Sequence, residues 1–171
     1  MELDLSDFDY HDPTTTATDF KAWLQAFRRS HDKFQFDEWL TCLRLPDMSC
    51  HEVPLDLRDQ LERYYEQLLD TLSGGLEESC FGISRVWKLV VKDSERYPVS
   101  DRLICKWVTK FQVVDLDWRK LDLDISRLVT QRSQLRKIKL YSGGNWPPIF
   151  FWTSSEGLVR LRKVGLPFLC H

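Results

Sequence analysis

The sequence predicts an α+β or α/β fold, in which an N-terminal helical subdomain packs on a small parallel or mixed sheet with flanking helices. Apolar residues recur at helical spacing up to about residue 75, and short β-branched runs alternate with helical segments after residue 83. The composition, 43% hydrophobic and 13% aromatic over 171 residues, is sufficient for a packed core. Strands that alternate with helices imply right-handed crossovers between them.

Residues 1–17 are acidic and then Thr-rich without sustained periodicity, which predicts a flexible acidic arm. The first residues are acidic where a secretory signal would be basic, and no apolar run approaches the roughly 18 residues that span a bilayer. Five cysteines, an odd number at irregular spacing, are typical of reduced thiols. We therefore expect a cytoplasmic or nuclear protein that is neither secreted nor membrane-bound.

Three helices are predicted in the helical subdomain, residues 18–75. Apolar residues at spacing i, i+3, i+4 and i+7 mark the first over 20–27 and the second over 36–43. The third runs from Leu57 to Leu72 and ends at the Gly74-Gly75 pair.

The α/β subdomain is predicted over residues 83–171. Runs rich in β-branched residues or with alternating polarity predict strands, and apolar stripes at helical spacing predict helices. The predicted strands are 86–91, 112–116 and 135–141, and the predicted helices are 100–111 and 125–132.

An apolar-Arg-Lys-apolar-x-Leu pattern begins at Trp118, Leu135 and Leu161, with a looser copy at Val86. The starts are separated by 32, 17 and 26 residues. Leucine-rich repeats have an L-x-x-L-x-L core and a period of about 20–29 residues. The irregular spacing favours ordinary strands of a small α/β sheet, and leucine-rich-repeat-like stacking is the alternative.

Charge divides the chain into two halves. Residues 1–79 contain 18 acidic and 7 basic residues, a net charge of -11, whereas residues 80–171 contain 8 acidic and 17 basic residues, a net charge of +9. Opposite charges attract effectively over about 8–10 Å. The simplest interpretation is that the halves pack on each other, and the alternative is that the basic half meets an acidic partner.

The sequence contains no recognisable catalytic, metal or cofactor site. Cys42, Cys50 and His51 form the best local cluster for a metal ion, but no second ligand pair completes it. The turn 142–145 follows a predicted strand, where α/β proteins often bind ligands, yet neither a phosphate-loop nor a dinucleotide motif is present. We predict a tight turn there and expect the prolines at 147–148 to prevent a helix from starting at once.

The predicted function is a non-catalytic protein-interaction or regulatory module with a protein partner, and enzymatic activity is not predicted. Tryptophan, tyrosine and arginine dominate interface energetics, although the same aromatic residues are often buried in cores. The candidate binding residues are Trp118, Arg119, Tyr141, Asn145, Trp146 and Trp152.

Two alternative functions use other features of the C-terminal half. The first is a small-molecule binder or small enzyme built on the 141–152 loop. The second is a nucleic-acid binder that uses the basic residues between 127 and 163. An overall pI near 6.1, together with the absence of known nucleic-acid-binding motifs, argues against the second.

The segments 113–123 (VVDLDWRKLDL) and 135–145 (LRKIKLYSGGN), followed by Trp152, Ser154 and Leu161, resemble a region of fungal intracellular subtilisin-like proteins. That region lies upstream of the peptidase domain, and the resemblance covers about residues 83–166. It implies a fungal origin and a non-catalytic accessory or regulatory module. It does not imply protease activity, because no His lies between His51 and His171 to complete a catalytic triad.

Overall fold

The structure is a computed structural model that describes residues 2–6, 22, 26, 39–45, 58–74, 82–131, 133–161 and 168–170. Its strands are β1 (Glu2–Asp4), β2 (Trp39–Arg44), β3 (Arg85–Val91), β4 (Asp115–Leu121), β5 (Lys137–Tyr141) and β6 (Phe168–Cys170). Its helices are α1 (Arg58–Ser73), α2 (Asp101–Lys110), α3 (Ser126–Thr130) and α4 (Trp146–Thr153), followed by a 3₁₀ turn at Leu158–Arg160.

The six strands form one parallel sheet in the order β1-β2-β3-β4-β5-β6, so each strand lies beside its neighbour in the chain. Right-handed crossovers in a sheet that grows in one direction place the connecting helices on the same face. The contacts agree, because α1 packs on α2 and α2 on α3. The predicted α/β fold with a parallel sheet is confirmed.

A buried L-x-x-L-x-L pattern repeats in register along this sheet. Leu43, Leu89, Leu116 and Ile138 are aligned across four strands, and each is at most 1% exposed. The complete buried triplets are Leu40, Leu43 and Leu45; Val86, Leu89 and Val91; Val113, Leu116 and Trp118; and Leu135, Ile138 and Leu140. The same buried pattern therefore recurs on four neighbouring strands.

The buried L-x-x-L-x-L pattern on β4 does not start at the same residue as the apolar-Arg-Lys-apolar-x-Leu pattern of the sequence. The unit on β4 begins at Val113, five residues before the copy that was aligned on Trp118, whereas the unit on β5 begins at Leu135 as expected. Spacings between the aligned central residues are 46 (43 to 89), 27 (89 to 116) and 22 (116 to 138). Two of these fall inside the range of about 20–29 residues for leucine-rich repeats.

The core fills the space between the sheet and the helices. Tyr65 of α1 packs its ring 6.2 Å from that of Trp118 on β4, and Trp107 of α2 lies 5.4 Å from Phe111. All four side chains are fully buried. Burial of each large apolar side chain contributes about 1.5–3 kcal/mol, and the contact between Tyr65 and Trp118 joins α1 to the sheet.

Most of the predicted elements are present, but one predicted helix is wrong. The predicted segments 57–72, 100–111 and 125–132 correspond to α1, α2 and α3, and 86–91 and 135–141 correspond to β3 and β5. The described part of the helix expected over 36–43, residues 39–43, belongs to β2, and β4 begins at Asp115 rather than at residue 112. In the first predicted helix only residues 22 and 26 are described, and both are helical.

A helix, α4, starts at Trp146, although the sequence predicts that the two following prolines prevent one from starting there. Pro147 and Pro148 occupy the first turn of α4, where a missing N–H leaves no helical hydrogen bond unmade. Residues 2–4 of the predicted acidic arm form β1, residues 5 and 6 follow it, and residues 7–17 of the arm lie outside the described residues. The strands β1 and β2 precede residue 75, and the strands β3, β4, β5 and β6 follow it. All six lie in one sheet.

Candidate functional site

The face of the sheet opposite the described helices carries polar and aromatic side chains. We call it the open face. It consists of strand residues that lie next to the buried L-x-x-L-x-L positions, outside the hydrophobic core and away from the described helices. Its polar and aromatic members are Glu2, Asp4, Trp39, Arg44, Arg85, Trp87, Lys88, Asp115, Asp117, Arg119, Lys137, Lys139 and Tyr141.

Acidic and basic residues alternate across the strands of the open face. The strand register aligns two rows, Glu2–Cys42–Lys88–Asp115–Lys137 and Asp4–Arg44–Val90–Asp117–Lys139. Opposite charges on neighbouring strands attract, each pair contributing roughly 0.2–1 kcal/mol. The ion pair between Arg44 and Asp4, at 3.4 Å, is one example. The face thus presents six basic and four acidic residues in an ordered array.

Asp117 is the most deeply buried charge of the open face. Its carboxylate is 4% exposed and accepts hydrogen bonds of 2.7 Å from both Lys139 Nζ and Tyr141 Oη. Arg119 Nε lies 4.0 Å away. Burial alone raises the pKa of Asp117, but the hydrogen bonds from Lys139 and Tyr141 and the charges of Lys139 and Arg119 outweigh it, so the pKa is lowered.

The Asp117 cluster, which consists of Asp117, Lys139, Tyr141 and Arg119, stabilises the charged form of Asp117. Both carboxylate oxygens already accept hydrogen bonds within the protein, and a lowered pKa opposes proton uptake near neutral pH. Such a group is a poor general acid or base. Its effect is to fix the positions of Lys139, Tyr141 and Arg119 on the surface.

An aromatic–basic cluster lies near the amino ends of β2 and β3. Trp39 pairs with Arg85 across the strands, and the guanidinium carbon of Arg85 lies 4.5 Å from the centre of the Trp39 ring. Trp87 is two residues after Arg85 on β3, and these two exposed side chains flank the buried Val86. Trp39 is 59% exposed and Trp87 is 55% exposed. Three large side chains are therefore displayed together to solvent.

The structure divides the six predicted binding residues into three groups. Trp118 and Trp152 are buried, so their rings contact the core in this conformation. Arg119 and Tyr141 lie together on the open face around Asp117. Asn145 and Trp146 lie at the turn that follows β5, and Trp146 is 70% exposed.

The buried indoles of Trp118 and Trp152 are hydrogen-bonded inside the protein. Trp118 Nε1 donates to a carboxylate oxygen of Asp93 at 2.8 Å, and Trp152 Nε1 donates to the carbonyl of Leu123 at 2.9 Å. The Asp93 carboxylate also accepts from the backbone N–H groups of Ser94 and Val99. Burial raises the pKa of Asp93, although these donors partly offset the effect.

The turn 142–145 is closed by Asp122. The backbone N–H of Gly143 donates to one carboxylate oxygen of Asp122 at 3.0 Å, and the Asn145 side-chain amide donates to the other. The N–H of Gly144 donates to Ser142 Oγ at 3.0 Å. These polar groups bond to one another, which supports the predicted tight turn rather than a cradle for a ligand.

A cleft of about 320 Å³ lies between α1 and α2, and one ion pair lies in its lining. Glu62 accepts the N–H of Ser100 at 3.1 Å, and Glu66 forms an ion pair with Lys106 at 3.4 Å. The lining thus contains two carboxylates and three basic side chains. Its remaining lining residues are Arg63, Arg102 and Leu103.

No group of three or more His, Cys, Asp or Glu residues in the described ranges could hold a metal ion. Of the metal cluster considered in the sequence, only Cys42 is described, and Cys50 and His51 lie outside those ranges. Burial raises the pKa of the Cys42 thiol. Within the same ranges, no helix combines the length and apolar character needed to cross a bilayer.

Sequence reasoning missed Trp39, Arg85 and Trp87 as surface residues. The detectable signal was strand alternation, because Val86 is apolar between two residues that point the other way. Neither protein-family models, nor curated proteins, nor solved structures give a significant match to this chain. The candidate site therefore rests on the geometry of the open face.

Proposed function

We propose that this chain is a non-catalytic protein-interaction or regulatory module with a leucine-rich-repeat-like architecture, and that it binds its protein partner through the open face. The observation that carries the proposal is the in-register stacking of five strands that present ordered charges and exposed tryptophans on one side. Stacked-repeat proteins use such extended surfaces for binding.

The chemistry of the open face supports a protein partner. Tryptophan, tyrosine and arginine are enriched among residues that dominate interface energies, and all three types are present here. Alternating charges give electrostatic complementarity, which selects a partner and fixes its register. Arg119 and Tyr141 belong to both the predicted site and the open face, so we retain them as contact residues.

The resemblance to the region upstream of the peptidase in fungal subtilisin-like proteins supports the same proposal. The resembling segments contain β4 and β5, which contribute Asp115, Asp117, Arg119, Lys137 and Lys139 to the open face. We propose an accessory or regulatory role of fungal origin in the cytoplasm or nucleus.

Selection of binders from a displayed library of random peptides tests the proposal. Arg119→Glu and Lys137→Glu change the open face, whereas Arg102→Glu and Lys110→Glu make the same changes on exposed positions of α2. We expect the open-face variants to weaken selected binders by about tenfold or more, equivalent to about 1.4 kcal/mol, and the α2 variants to change affinity by less than about twofold.

The comparison between matched variants decides the outcome. Equal losses on both faces, or greater losses on α2, would contradict binding through the open face. Circular dichroism on each variant confirms that the fold is retained, as expected for exposed side chains.

A further inference from the structure

The aromatic–basic cluster of Trp39, Arg85 and Trp87 has chemistry that the rest of the open face lacks. Elsewhere on that face charged residues alternate, but the cluster combines one cation with two large exposed rings. Arg85 forms no ion pair with any residue in the described part of the chain. Its side chain is exposed to solvent.

The contact with Trp39 restricts Arg85. The guanidinium carbon lies 4.5 Å from the centre of the Trp39 ring, and a guanidinium carries five N–H donors in its plane. Those donors match the two oxygens of a carboxylate, which a guanidinium can bind through two parallel hydrogen bonds. Because the contact restricts the Arg85 side chain before binding, it lowers the entropy that binding costs.

We propose that the cluster binds an extended segment of the partner protein that carries a carboxylate beside a proline. This inference rests on the proposed function and names the partner's chemistry. Arg85 takes the carboxylate, and the exposed rings of Trp39 and Trp87 hold the proline, because aromatic surfaces recognise the preformed polyproline II conformation. The charge of the ligand thus complements the charge of the cluster.

The neighbouring rows favour a peptide over a single-stranded nucleic acid. Exposed tryptophans with an arginine can also stack bases. However, Glu2, Asp4 and Asp115 interrupt the basic residues across the strands, and their carboxylates repel a continuous phosphate backbone. A peptide whose side chains carry separate charges fits this alternation.

Fluorescence anisotropy with three labelled probes and the full chain tests the inference. The probes are a peptide of repeated Pro-Glu-Pro, the same peptide with Gln in place of Glu, and an oligo-dT strand. We expect the Glu peptide to bind at least about tenfold more tightly than the Gln peptide, and Arg85→Gln or Trp87→Ala to reduce its affinity by about tenfold or more. Arg102→Gln and Lys110→Gln, at exposed positions of α2, serve as controls that retain affinity.

Several results would overturn the inference. They are no binding of the Glu peptide, equal binding of the Glu and Gln peptides, or unchanged affinity in Trp87→Ala. Tighter, Trp87-dependent binding of oligo-dT would assign the cluster to nucleic acid instead. If library binders depend on Arg119 and Lys137 but not on Arg85 or Trp87, the proposed function stands and this inference fails.

Discussion

Lys139 holds its ammonium group 2.7 Å from the carboxylate of Asp117, across the junction of β4 and β5. Removal of one partner from such a pair leaves a buried carboxylate with fewer donors. We therefore expect Lys139→Met to lower the free energy of unfolding by about 1–3 kcal/mol, since Tyr141 still donates to Asp117. Urea denaturation followed by circular dichroism measures the change.

Lys137→Met is the matched control for Lys139→Met. Lys137 lies two residues earlier on the same strand and the same face, but it is exposed and forms no ion pair with a described residue. Its substitution should change stability by less than about 0.5 kcal/mol. Equal effects of the two substitutions would show that the ion pair with Asp117 contributes nothing specific.

The same carboxylate makes stability depend on pH. Because the pKa of Asp117 is lowered in the folded state, its ionisation stabilises the fold above its ordinary pKa of 3.8, and this stabilisation is lost as the pH falls through the folded pKa. The stability difference between the wild type and Asp117→Asn should be constant from about pH 7 to 5 and shrink toward pH 3. Urea titrations at each pH measure it, and a difference that grows toward acid would contradict the assignment.

Trp118→Phe should destabilise the protein through a lost hydrogen bond. The change removes the indole N–H that donates to Asp93 and leaves a buried carboxylate with one donor fewer. We expect a cost about 1–3 kcal/mol greater than that of Trp107→Phe. Trp107 is equally buried, but its indole N–H has no hydrogen-bond partner among the described residues. Similar losses in both variants would show that the bond to Asp93 is unimportant.

Gly157→Ala should disrupt the segment after α4. A Cβ at this position would lie 2.0 Å from the carbonyl oxygen of Phe151 and 2.8 Å from that of Trp152. Backbone atoms cannot move aside without a large energetic cost, so we expect the free energy of unfolding, measured in urea, to fall by about 3 kcal/mol or more.

Gly144 is the matched control for Gly157. At Gly144, φ is +82° and no atom lies within 4 Å of an added Cβ. Gly144→Asn should cost less than about 1 kcal/mol, because Asn tolerates the left-handed region.

The elements predicted well from the sequence are those with one unambiguous period. The apolar stripe of α1 extends over four turns, and Ser100 caps α2 through its side chain, so both helices were detectable. The missed strand β2 has a physical explanation. The first step of an L-x-x-L-x-L unit is three residues, as from Leu40 to Leu43, and a helix uses the same step. The spacing of apolar residues therefore could not distinguish a strand from a helix in this segment.

The candidate site was only partly accessible from the sequence. Arg119 and Tyr141 were predicted as binding residues and lie on the open face, whereas Trp118 and Trp152 are core residues. Which of two tryptophans is buried depends on the face of the strand it occupies, and that requires the register. Trp87 and Trp118 illustrate this, since one is 55% exposed and the other is fully buried in adjacent strands.

The sequential strand order has a consequence for how the molecule opens. Every strand pairs only with its neighbours in the chain, so the cooperativity of unfolding arises from couplings between adjacent units. Detachment of β1 or β6 breaks one strand pairing, whereas opening at β3 or β4 breaks two. Backbone amides should therefore exchange with solvent fastest at the two outer strands and slowest in the middle. Asp117 and its partners Lys139 and Tyr141 lie on β4 and β5, so we expect them to remain assembled when β1 or β6 detaches.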